Sequence, residues 1–108
     1  KPADAAGEDG DFEGKVARLE ELDARIPRLV DLGADVLIVA GDHSTPAVMA
    51  AHSWHPVPLM VRARLTAGEG VAAFTERLCA TGLVGRVPAV NVMMLAVAHA
   101  GKLSKFGP

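Results

Sequence analysis

A chain of 108 residues, half of them apolar, is the size of one small domain with a modest core, burying about two-thirds of its unfolded surface. Its formal charge of -2 gives no footing for nucleic acid or an anionic membrane as partner, and no apolar run approaches the roughly 20 residues that span a bilayer. A single cysteine, Cys79, closes no internal disulfide, so nothing calls for an oxidising compartment and the cytoplasm is the expected location.

The chain opens at Lys1 without a methionine, and "KPADAAGEDG" reads as a loop, either a tail or the continuation of something longer. From Asp11 the pattern is helical. Phe12, Val16, Leu19, Leu22, Ile26, Leu29 and Val30 recur at steps of three and four, with Glu20, Glu21, Asp23 and Arg25 mostly opposite. Pro27 has no amide hydrogen, so the helix should kink or restart there, and Gly33 should end it. "DVLIVA", residues 35–40, is a short β-branched and leucine run that reads as a strand buried on both faces, as in a parallel sheet. Pro46 suits the first turn of a short helix over 46–51, with Ser44 and Thr45 as its caps. A second buried strand follows at "VPLMVRA", residues 57–63, with Arg62 and Arg64 facing solvent.

"TAGEG" then turns the chain into a helix over 71–81 with Val71, Phe74, Leu78 and Cys79 inward. "GLVGRVPAV" is a glycine-rich connection, and Asn91 caps a last helix over 92–100 before the tail "GKLSKFGP". Strands alternating with helices give an α/β layered fold. Two strands are too few for a free-standing doubly wound sheet, so the pattern suggests a piece of a larger fold, whose unpaired edge would favour self-association.

Candidate chemistry gathers between the strands. In open parallel sheets, ligands bind beyond the carboxyl ends of the strands, where Asp42 and His43 fall. Carboxylate oxygen and neutral imidazole nitrogen both bind zinc or manganese. His52, ahead of the second strand, can return to the same edge, while Asp4 and Glu8 stand four apart in the acidic opening, with Gly7 free to turn between them. Together these groups exceed what one ion needs and would serve two ions about 3.5–4 Å apart. The residue types alone leave a second reading open, in which each is solvated polarity in a loop or a helix cap. Lys15 reads as a solvated charge, Trp54 as a packing residue, and His99 as core or partly exposed.

The strings "DAAGEDGDFEGKV", "VAGDHSTPAV", "HSWHPVPLM", "GLVGRVPAVNVMMLA" and "KFGP" resemble the carboxyl-terminal part of the archaeal-type cofactor-independent (2,3-bisphosphoglycerate-independent) phosphoglycerate mutases, members of the alkaline phosphatase superfamily. The resemblance covers nearly the whole chain. It implies a partial three-layer alkaline-phosphatase-like fold, with residues 1–108 forming the carboxyl-terminal part of the metal-binding domain. It also implies two divalent ions, manganese, magnesium or zinc, the first held by Asp4, Glu8 and His52 and the second by Asp42 and His43. Glu8 departs from the wider superfamily, where histidine is usual, and a carboxylate suits the harder manganese or magnesium; Asp9 is a rival for its place.

The activity implied is isomerisation of 3-phosphoglycerate and 2-phosphoglycerate through a phosphoserine. None of Ser44, Ser53 and Ser104 matches the family's nucleophile, so that serine and the inserted substrate domain are expected upstream, and this stretch alone is expected to be inactive. His55 is a candidate for contacting substrate or orienting a ligand. The alternatives are another alkaline-phosphatase-like phosphotransferase or phosphohydrolase, and a stand-alone module without catalysis.

Overall fold

The computed structural model describes residues 1–66 and 70–103. Most of the "TAGEG" turn, Ser104 and the end of the tail lie outside the described residues. The elements run α1 (Pro2–Glu8), α2 (Phe12–Asp23), α3 (Ile26–Val30), β1 (Val36–Ala40), β2 (Leu59–Ala63), α4 (Glu76–Cys79), a 3₁₀ turn (Ala89–Asn91) and α5 (Val92–His99). This is a mixed α/β arrangement, and it divides into two compact units. The first takes Lys1–Gly33 and Asp42–Val57, the second Ala34–Gly41 and the chain from Pro58 onward.

In the first unit the opening segment is helical where a loop is expected. Pro2 sits in the first turn, where its missing amide hydrogen costs nothing, and Ala3, Ala5 and Ala6 are strong helix formers. The helix ends at Asp9, and Gly10 turns the chain with φ +70°. Asp11 then caps α2, its Oδ1 accepting from the Gly14 amide at 2.8 Å. The two helices pack on each other. The predicted break near Pro27 is present: α2 stops at Asp23 and α3 restarts with Pro27 in its first turn. The apolar stripe does not form a core in this chain, and Phe12 is 65% exposed.

The predicted helix over 46–51 is only a turn. The Met49 and Ala50 amides bond back to the Pro46 carbonyl, but Ala50 adopts φ 48° and stops propagation. Ser44 and Thr45 therefore cap no helix. Ser44 instead forms an isolated antiparallel bridge with Ser53, whose amide donates to the Ser44 carbonyl at 2.8 Å.

In the second unit β1 and β2 pair antiparallel, not parallel, with Val36 opposite Ala63 and Ala40 opposite Leu59. The residues between the strands contain no helix long enough to carry the chain back for a parallel pairing, which takes a dozen or more residues and usually a helix. The strand residues are partly exposed where burial on both faces is expected, with α5 packed against β1. Arg62 and Arg64 are exposed as predicted.

The helix expected over 71–81 contracts to Glu76–Cys79, because Thr75 is extended and caps it, its hydroxyl accepting from the Leu78 amide at 3.2 Å. Asn91 does precede α5, but its side chain makes no capping bond; the 3₁₀ turn starting after Pro88 leads into the helix instead. His99 ends α5, partly exposed.

Candidate metal centre

All the predicted ligands lie in the first unit. Because α1 is a helix, the spacing of four puts Asp4 and Glu8 on one face, without the turn at Gly7 that a loop would need. Gly7 serves a different purpose. It is buried against the loop after β1, and a Cβ there would stand 2.5 Å from the Thr45 carbonyl oxygen. Only glycine lets α1 come this close, and that approach carries both carboxylates to the histidines.

His52 Nε2 lies 3.4 Å from Asp4 Oδ1 and 3.3 Å from Glu8 Oε1. On its other side the His52 ring meets that of His43, with centroids 4.1 Å apart. His43 Nε2 is 3.6 Å from Asp42 Oδ2, while its Nδ1 is 3.9 Å from Asp4 Oδ1. Ligand atoms from Asp4, His43 and His52 all fall within 4.8 Å of one another. Glu8 and Asp42 lie outside that trio, each beside one of its histidines. Asp9, the rival of Glu8, ends the helix through its backbone amide, and it is Glu8 that reaches His52.

These spacings suit an ion. Four ligands at about 2.1 Å around a tetrahedral metal stand about 3.4 Å from each other. The contacts of His52 with Asp4 and Glu8 match that edge, and the Asp42–His43 separation is close to it. The donor set of carboxylate oxygen and imidazole nitrogen is suited to zinc, manganese or magnesium in differing degree.

The electrostatics keep Asp4 and Asp42 ionised. Asp4 has a side chain only 15% exposed, and its pKa is lowered to about 2, chiefly because the Thr45 hydroxyl donates to Oδ1 at 2.8 Å and then because Lys1 Nζ reaches Oδ2 at 3.2 Å. That same contact raises the Lys1 ammonium. Asp42 is held below the usual carboxylate range by its own backbone amide and by that of His43, which lies 3.0 Å from Oδ1. Both carboxylates are thereby kept in the form that binds cations.

Several side chains take parts that their sequence context did not suggest. Thr45 is 4% exposed and lies against Asp4, His43 and Lys15. Lys15 is not a solvated charge, because its Nζ donates to the Thr45 carbonyl and ties α2 to the loop. His55 does not join the cluster by any contact among the described residues; its Nδ1 meets Ser53 Oγ at 2.8 Å and its ring stacks on Trp54. Trp54, expected to pack, is 80% exposed. Neither serine of this unit lies free beside the cluster, since Ser44 is buried in its bridge and Ser53 is engaged by His55.

Comparison with known proteins gives the chain's family. The Metalloenzyme superfamily model matches residues 1–99, and the chain belongs to that family. It is 53% identical over 107 residues to the probable 2,3-bisphosphoglycerate-independent phosphoglycerate mutase of Thermotoga petrophila, covering 99% of this chain and 27% of that one. A protein described in the same words from Thermus thermophilus is 50% identical over 107 residues, with 26% of its length covered. The solved structure of the PH0037 protein from Pyrococcus horikoshii superposes on the whole chain with a TM-score of 0.89 at 31% identity, covering 34% of that protein. The chain thus spans about a quarter of the length of the curated relatives it matches.

Proposed function

We propose that this chain supplies the metal-holding part of a phosphotransfer site that interconverts 3-phosphoglycerate and 2-phosphoglycerate. Asp4, Glu8 and His52 would hold one divalent ion, and Asp42 with His43 the other. Bound ions at such a site would neutralise charge on the phosphoryl oxygens and lower the pKa of the attacking hydroxyl. The chain's own residues fix where the ions sit and keep Asp4 and Asp42 charged; the attacking serine and the groups that grip the glycerate are assigned to other parts of a longer chain.

One observation carries the reading: His52 Nε2 stands at metal-ligand spacing from both carboxylates of α1 while its ring faces His43, the partner of Asp42. The identity to probable phosphoglycerate mutases supports the choice of substrate.

The test is manganese-dependent conversion of 3-phosphoglycerate in the longest natural chain that contains this sequence. Turnover should disappear with a chelator, return with manganese, and fall about a hundredfold or more in Asp42→Ala. Release of inorganic phosphate without isomerisation would replace this reading by a phosphohydrolase. Turnover indifferent to chelation would end the metal assignment.

A further inference from the structure

Thr45 lies between the two groups of candidate ligands. Its Oγ1 is 2.8 Å from Asp4 Oδ1 and 3.2 Å from His43 Nδ1. Asp4 and Thr45 are separated by 41 positions in sequence, so the contact is a product of the fold and not of neighbouring residues. At 4% exposure Thr45 is enclosed more tightly than its buried neighbour Ser44, at 8%.

A hydroxyl has one proton to give. An ionised carboxylate can only accept, so that proton goes to Asp4. The contact with His43 must then run the other way, with Nδ1–H donating to Oγ1. A neutral imidazole that carries its proton on Nδ1 has its lone pair on Nε2. Nε2 is the atom that stands 3.6 Å from Asp42 Oδ2.

We infer that Thr45 is a positioning residue that fixes the Nδ1–H tautomer of His43, so that Nε2 and Asp42 together face one cation while the same hydroxyl orients Asp4 toward the other. The inference rests on the metal reading above and deepens it: one side chain orders a ligand of each ion. Hydrogen bonds to metal-binding groups, at the opposite ring nitrogen of His43 and at the carboxylate of Asp4, tune affinity in this way. The backbone of Thr45 holds the hydroxyl in place, because its carbonyl receives Lys15 Nζ from α2 and lies against Gly7 of α1. Neither of those contacts uses the hydroxyl, so removing it alone should leave the fold in place.

The experiment uses Thr45→Val, which keeps the branched shape without the hydroxyl, and Thr45→Ser, which keeps the hydroxyl without the methyl, in the longest natural chain carrying this sequence. Long-range ¹H–¹⁵N spectra of the metal-free protein report the His43 tautomer, and calorimetric titration with zinc or manganese alone reports affinity. The wild type should show the Nδ1–H form. T45V should lose that preference and bind the Asp42–His43 ion about tenfold to a hundredfold more weakly. T45S should restore both within a few-fold.

An Nε2–H His43 in the wild type, or an unchanged tautomer in T45V, overturns the inference, and so does a T45S variant as weak as T45V. Should T45V fail to fold, the wild-type spectrum and T45S still decide. The two readings fail separately. A wild type with the Nδ1–H tautomer that binds neither metal refutes the metal assignment while upholding the hydroxyl's hold on His43.

Discussion

The first unit of this chain places its deepest burial at a polar cluster; the second has no buried residue among those described. Gly7, Ser44 and Thr45 are the buried positions of the first, and all three adjoin or join the candidate ligands. The second is ordered by the ladder between β1 and β2 and by α5 against β1, with side chains half-exposed. A buried hydroxyl and a helix-to-loop approach that admits no Cβ specify geometry more sharply than apolar area does, because hydrogen bonds and close contacts have narrow distance limits. Damage to the first unit should therefore reach metal binding, whereas damage to the second should be confined to stability.

The largest expected effect tests that division. His52→Ala and Asp4→Asn should each weaken zinc or manganese binding at least about a hundredfold by calorimetry, more than loss of a supporting hydrogen bond would. Ile38→Ala, which removes half-buried apolar surface opposite Val61, should leave affinity within about twofold while lowering unfolding free energy by about 1 kcal/mol. Equal losses of binding in all three would erase the distinction.

Two glycines sharpen it. Gly7→Ala forces a methyl onto the Thr45 carbonyl and should cost about 1–3 kcal/mol in urea unfolding, with weaker metal binding because α1 carries two ligands. Gly85→Ala, in the second unit, meets nothing within 4 Å and pays only for its φ of +66°, about 1 kcal/mol, with metal binding unchanged. Thr75→Ala removes the cap of α4 and should cost about 1 kcal/mol, seen as faster amide exchange at Leu78.

The smallest effect is in the acid limb. Asp4 in the folded chain titrates at about 2, below its unfolded value near 4. Its contribution to stability is therefore complete above pH about 4 and is lost as pH falls toward 2. Carboxyl-carbon titration by nuclear magnetic resonance should show the low midpoint in metal-free protein and a rise in Thr45→Val, since the hydroxyl is its leading cause. An unchanged midpoint in that variant would remove Thr45 from the centre.

The candidate ligands were legible in the sequence because metal chemistry restricts residue type, and because "GDHSTP" and "HSWHPVP" are distinctive strings. The spacing of Asp4 and Glu8 is legible, but the helix that carries them is not: the short, acidic, glycine-containing α1 has little apolar periodicity, and Pro2 and three alanines are its signal. Strand existence was legible from two apolar runs, but their relative direction was not, since direction depends on how the intervening segment returns. The place of Thr45 is not legible locally, because it depends on a contact 41 positions away, and a threonine before a proline has an adequate local explanation as a cap. The same holds for Lys15, whose carbonyl acceptor lies 30 positions on.

The most direct test of the central claim is metal stoichiometry in the longest natural chain carrying this sequence, by calorimetry with manganese and with zinc. Two ions should bind per chain, one lost in His52→Ala and the other in Asp42→Ala. A stoichiometry unchanged by both substitutions would contradict the account and return these side chains to solvated polarity.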